Sequence, residues 1–109
     1  MRASVVSALS CAAFVLAGCV TERSYGQAQE IVRGSPAARQ EAINRCARGI
    51  NEGSAARRAE IARIVNVSPR SNVGRTYCTR AFTGIANGRI SYEDFRTRSP
   101  QFIRVVQGR

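Results

Sequence analysis

The sequence contains neither histidine nor lysine, and both absences narrow the range of functions. Without histidine, the common nucleophile–base pairs of hydrolases and the imidazole ligands of most zinc sites are excluded. Every basic residue is an arginine, a choice that together with abundant alanine is typical of a GC-rich genome. Tryptophan is also absent and the few aromatic residues fall at apolar positions, which argues against the stacking surfaces of nucleic-acid-binding proteins.

The sequence also lacks a long hydrophobic run. Its longest apolar stretch, residues 5–16, covers twelve positions, whereas a membrane-spanning helix needs roughly 18 or more. Twelve residues behind Met1 and Arg2 instead match the apolar region of an export signal, which is about 7–15 residues long. The pattern predicts an exported chain without a permanent transmembrane segment.

Leu16-Ala17-Gly18-Cys19 closes this apolar stretch and resembles the lipobox of bacterial lipoproteins. The resemblance implies cleavage between Gly18 and Cys19, and a lipid-modified Cys19 carrying a diacylglyceryl thioether and usually an acylated amine. More than one acyl chain suffices for stable membrane anchoring. Since Val20 rather than aspartate follows the cysteine, the sorting rule of that class implies delivery to the periplasmic side of the outer membrane.

These features divide the chain into three parts: a cleaved signal peptide over residues 1–18, a tether over 19–34 and a helical domain over 35–109. Residues 20–34 are polar, contain Gly26 and Gly34 and lack sustained periodicity, which predicts a flexible tether. The mature chain is small enough for its core to be marginal, so a covalent crosslink would help it to fold.

Two of the four cysteines are expected to remain free for pairing. Cys11 would leave with the signal, because the residues before it make a poor lipobox, and lipid would block Cys19. Cys46 and Cys78 would then be the two thiols left in an oxidising compartment, which predicts a disulfide between them. This disulfide would add about 3–4 kcal/mol to the free energy of unfolding. The alternative is a pair of buried free thiols.

The rest of the chain predicts an all-α bundle of four to five short helices. The first helix begins at Ser35-Pro36, and its residues 37–50 carry an apolar stripe at spacings of three and four. Ser54 caps the second helix. The third, which Ser71 or Asn72 can cap, has the most continuous apolar stripe. Ser91 with Asp94 forms a capping box for the fourth, and Pro100 opens a last helical turn or two. Cys46 and Cys78 both lie on apolar faces, so their disulfide would clamp the first and third helices.

No motif predicts catalysis, a metal or a cofactor. Residues 87–95 resemble the second half of an EF-hand loop, but Thr83 and Ile85 occupy the positions of its first carboxylate ligands, so calcium binding is not expected. Glu93 and Asp94 are adjacent and project about 100° apart on a helix, so they do not form a facing carboxylate pair. The chain is therefore predicted not to be an enzyme.

Arginine dominates the middle of the chain, with ten arginines against three acidic residues between Arg33 and Arg80. Such a charge attracts lipopolysaccharide, acidic lipid or polysaccharide in a salt-dependent way, whereas nucleic acid is not expected in the envelope. The alternative is a solvated face with weak ion pairs. The candidate anion-binding face consists of Arg57, Arg58, Arg63, Arg75 and Arg80.

The function that the sequence favours is a membrane-anchored envelope lipoprotein with a structural or protein-interaction role. An arginine-rich module that binds anionic lipid or polysaccharide is the alternative. Association through an apolar patch would be insensitive to salt, whereas charge-driven binding would weaken as salt rises.

Overall fold

The computed structural model describes residues 20–109, so the predicted cleavage and lipidation site at Gly18 and Cys19 lies outside the described residues. Within that range the chain is helical and has no strand, which confirms the all-α prediction. It contains six helices where four to five were predicted: α1 (Glu22–Gly34), α2 (Pro36–Asn51), α3 (Ala55–Val65), α4 (Val73–Ala86), α5 (Tyr92–Thr97) and α6 (Pro100–Val106).

Each helix begins at a residue whose short polar side chain accepts a hydrogen bond from the backbone N–H three positions later. Such caps contribute about 1 kcal/mol each. Pro36 and Pro100 occupy first helical positions, where the missing N–H costs nothing. Serine and asparagine therefore mark the predicted helix starts correctly. The caps are Thr21, Ser35, Ser54, Asn72, Ser91 and Ser99.

The prediction of a flexible tether over residues 19–34 is wrong for residues 22–34, which form α1. Tyr25 and Val32 lie two turns apart on one face of α1, and both are buried, with 6% and 5% of their surfaces exposed. Thr21 and Ser24 form a reciprocal capping box at the start of the helix. Burial of two large side chains outweighs the low helix propensity of the polar, glycine-containing sequence. The folded domain thus includes residues 21–34.

Helix α4 lies at the centre of the bundle and packs against α1, α2, α3 and α6. Its two internal glycines permit close approach of neighbouring elements. A Cβ at Gly74 would lie 2.5 Å from the carbonyl oxygen of Ala47 in α2, and one at Gly84 would lie 2.7 Å from the Ile90 side chain. Because these positions have no side chain, α2 and the turn after α4 can pack closely against α4.

Cys46 and Cys78 form a disulfide that joins α2 to α4, with their Cα atoms 5.9 Å apart. Cys78 is completely buried, beside Ile43 and Ala47 of α2. This confirms both the predicted pairing and the predicted clamp between the first and third helices of the sequence-based scheme.

Candidate functional site

Arg80, one of the five arginines predicted to bind anions, is half-buried and holds two helix ends together. Its Nη1 atom donates to the carbonyl oxygens of Val65 and Val106, each at 3.0 Å. These carbonyls lie in the last turns of α3 and α6, where unpaired oxygens and the helix dipoles favour a cation. The guanidinium of Arg80 is therefore engaged within the fold.

Two further arginines of the predicted face also donate to protein oxygens. Arg58 donates to the carbonyl oxygens of Asn51, at 3.0 Å, and Gly53, where α2 ends. Arg75 donates to Oδ1 of Asn44 at 3.0 Å, on the exposed side of α2. Arg58, Arg75 and Arg80 thus bind oxygens in three separate parts of the structure, and their role toward an external anion stays a prediction.

Arg57 lies beside an open apolar groove of about 520 Å³. We call it the isoleucine groove. Its walls come from α2, α3, α4 and α6, and the exposed Arg57, Glu60 and Arg98 carry its charge. Arg63, the fifth predicted arginine, is exposed in the last turn of α3 and does not line the groove. The apolar residues of the isoleucine groove are Ile50, Ile61, Ile64, Tyr77, Phe102 and Ile103.

Arg98 enters the isoleucine groove from the end of α5. It adopts a left-handed backbone conformation with φ of 52°, and its guanidinium carbon lies 4.8 Å from the ring centroids of both Phe95 and Phe102. It also donates to the carbonyl oxygen of Phe95 at 2.7 Å. Stacking between two rings holds the positive charge at the edge of apolar surface.

A second open groove, of about 320 Å³, lies between α1 and the neighbouring α4 and α5. We call it the N-terminal groove, because Val20, the first described residue, stands at its edge. Its lining carries no charged side chain. Ser24 and Tyr25 contribute to the α1 side, and its other residues are Val20, Ala28, Val32, Phe82, Ile85 and Phe95.

The acidic residues of α5 have structural hydrogen-bond partners. The hydroxyl of Ser99 donates to Oδ1 of Asp94 at 2.6 Å, and this bond, followed by those from Ser91, lowers the pKa of the Asp94 carboxyl. The hydrogen bond from Arg96 lowers the pKa of Glu93. Both carboxylates are thereby held in the ionised form and do not donate protons at neutral pH. In this form Asp94 caps the start of α5 and Glu93 pairs with Arg96.

Over residues 20–109 the structure contains no cluster of three or more potential metal-ligating side chains. Within the same range no helix is long and apolar enough to cross a bilayer. The position of Arg98 and the apolar surface of α1 were not predicted from the sequence. The spacing of Tyr25, Ala28 and Val32 at three and four residues was the available signal for the latter.

No protein-family model, curated protein or solved structure matches this chain.

Proposed function

We propose that this chain is a lipoprotein of the bacterial cell envelope, anchored through Cys19 at the periplasmic side of the outer membrane, whose helical domain binds a partner protein. The lipobox-like Leu16-Ala17-Gly18-Cys19 supports the anchor. The Cys46–Cys78 disulfide suits an oxidising compartment. Because the first helix is capped by Thr21, a lipid on Cys19 would hold the domain directly at the membrane surface.

The isoleucine groove is the observation that carries the interaction role. Four helices contribute its apolar walls, and Ile64 within it remains 37% exposed. Exposed concave apolar surface is typical of sites that receive side chains of another protein. Two arginines against one glutamate favour an amphipathic partner helix with acidic residues beside its apolar face.

The alternative, an anion-binding module for lipopolysaccharide, acidic lipid or polysaccharide, has the strongly basic composition of the chain in its favour, since the full sequence has a formal net charge of +10. Three of its five predicted arginines already donate to protein oxygens, however. A guanidinium so engaged has fewer N–H groups to offer an external anion. The apolar groove therefore carries the proposal, and the anion-binding module is second.

Capture of envelope proteins by the membrane-extracted protein at low and high salt tests the proposal. The informative variant is Ile64→Asp, which places a charge in the isoleucine groove. Its control is Ala59→Asp, which makes the same charge change at an exposed position of α3 that does not line the groove. We expect a partner that the native chain and Ala59→Asp retain at high salt and that Ile64→Asp loses.

Two results would contradict the interaction role. Equal capture by both variants would show that the groove is not the binding surface, and capture lost in high salt would favour the anion-binding module. The anchor is tested separately by the intact mass of the membrane-extracted protein. A chain that begins at Cys19 and carries acyl mass is expected, and an unlipidated chain would refute the anchor.

A further inference from the structure

The N-terminal groove opens where the described chain begins. The side chain of Val20 lines it and is 38% exposed, and the Val20 carbonyl oxygen accepts a hydrogen bond of 3.2 Å from the hydroxyl of Tyr92. That bond fixes the position of Val20 against α5. Because Cys19 is covalently bonded to Val20, its Cα lies about 3.8 Å from that of Val20. A lipid on the Cys19 sulfur is therefore connected through a single peptide bond to a residue that lines the groove.

Small residues on α1 form one wall of the N-terminal groove. Ser24 and Ala28 lie one turn apart, and neither is buried. Their short side chains leave space in front of Phe82 and Phe95, which form part of the opposite wall. A side chain the size of leucine at either position would fill part of this space. The groove is thus elongated along the helix and is open to an apolar chain.

Ile31 follows Ala28 by three residues on α1 and is 59% exposed, the largest exposure among the large hydrophobic residues of the described chain. Ile31 lies nine residues beyond Glu22, the first residue of α1, which at 1.5 Å per residue is about 14 Å of helix. One acyl chain reaches across one leaflet, about 15 Å, half of the hydrocarbon thickness of a bilayer. The helical distance from the start of α1 to Ile31 is therefore comparable to the length of a single acyl chain.

We propose that the N-terminal groove holds one acyl chain of the lipid carried by Cys19. The inference rests on the lipid anchor of the proposed function and adds where one of its chains lies. Covalent attachment next to the groove makes binding intramolecular, with an effective concentration in the millimolar range for a short connection. Because the lining of the groove carries no charged side chain, it can contact a hydrocarbon chain without burying a charge. The bound acyl chain would fix the orientation of α1 relative to the anchor.

The test attaches the lipid chemically, so that it does not depend on native processing. A chain comprising residues 19–109 contains the whole described core and its disulfide. Prepared without lipid under non-reducing conditions, it has one reactive thiol, Cys19, which a maleimide with a hexadecyl chain ending in a diazirine would alkylate. The product is inserted into phospholipid nanodiscs and irradiated, and the crosslinked residues are mapped by mass spectrometry.

We expect crosslinks to residues that line the N-terminal groove, principally Ala28 and Phe82, and to Ile31 beside it. The variant Ala28→Trp fills the groove and should reduce these crosslinks at least about tenfold, which corresponds to displacing about two methylenes from apolar contact. Its control is Ala59→Trp, which adds the same side chain to an exposed position on α3 and should leave the crosslinks unchanged.

Crosslinks to phospholipid alone, or equal crosslinking in the two tryptophan variants, would overturn the proposal. A parallel nanodisc whose phosphatidylcholine carries the diazirine identifies the other source of acyl chains. If that lipid labels the groove and the chain on Cys19 does not, the groove binds bilayer lipid and the proposal is wrong. Absence of acyl mass on the native protein would instead refute the anchor, so the two failures are distinguishable.

Discussion

The hydroxyl of Tyr25 donates a hydrogen bond to the backbone carbonyl oxygen of Ile90, sixty-five residues further along the chain. Both residues are buried, with Ile90 fully enclosed. The ring of Tyr25 also packs against those of Tyr92 and Phe95, at centroid distances of 5.8 and 5.5 Å. Tyr25 therefore joins α1 to the turn before α5 through both a polar and an aromatic contact.

This contact predicts a loss of stability at alkaline pH. Burial, with a smaller contribution from the charge of Asp94, raises the pKa of Tyr25 from 10.0 to about 12. Because the folded chain then holds the phenol proton more tightly than the unfolded chain, the stabilisation is complete below pH 10 and is lost as the pH rises toward about 12. Arginine stays charged in this range and the chain has no lysine.

Denaturant unfolding of the native chain and Tyr25→Phe across this pH range measures the effect. At neutral pH the variant should be about 0.5–1.5 kcal/mol less stable, since the Ile90 carbonyl loses its donor. Between pH 10 and 12 it should lose less stability than the native chain, because only the latter has this buried phenol. Parallel losses in the two proteins would show that Tyr25 does not control the transition.

Arg80 is expected to act as a stabilising residue. Replacement by methionine keeps the apolar stem and removes the donor shared by Val65 and Val106, leaving two carbonyls short of a partner. The free energy of unfolding should fall by about 1.5–3 kcal/mol. The control is Arg70→Met, which makes the same change at an exposed position outside the helices and should have an effect within about 0.5 kcal/mol. Similar losses in both variants would assign the effect to net charge.

Reduction of the Cys46–Cys78 disulfide should lower the free energy of unfolding by about 3–4 kcal/mol, given its sequence separation of 32 residues. The measurement is urea unfolding of residues 19–109 carrying Cys19→Ser, with and without reductant. A variant with Cys46→Ser and Cys78→Ser in the same background should be as unstable as the reduced protein and insensitive to reductant. An unchanged unfolding midpoint after complete reduction would contradict a stabilising role.

Two glycine substitutions should have opposite effects. A Cβ at Gly74 would meet the Ala47 carbonyl oxygen at 2.5 Å, so Gly74→Ala must separate α4 from α2 and should destabilise by about 1–3 kcal/mol. Gly49 in α2 has open space around its Cβ position, and Gly49→Ala should stabilise by about 0.5–1 kcal/mol through helix propensity. Thermal unfolding of both variants checks this. If both variants lose stability, alanine at position 49 of α2 is unfavourable for a reason other than a steric clash.

The helix starts, the all-α class and the disulfide were predictable because their determinants are local or few. A cap involves residues three apart, an apolar stripe repeats every three or four residues, and two cysteines remaining in an oxidising compartment have one way to pair. The sequence by itself therefore determined where the helices from residue 36 onward begin and which two of them are crosslinked.

Only the tertiary structure decided the fate of residues 22–34 and of the arginines. Nothing near Tyr25 in sequence shows that the Ile90 carbonyl oxygen will accept its hydrogen bond, and nothing near Arg80 shows that the carbonyl oxygens of Val65 and Val106 will accept those of its guanidinium. The two grooves likewise combine residues from helices far apart in the chain, such as Val20 with Phe95. The spacing of Tyr25, Ala28 and Val32 fits a helix, but the local pattern does not show which distant segments bury those side chains or bind the guanidinium of an arginine.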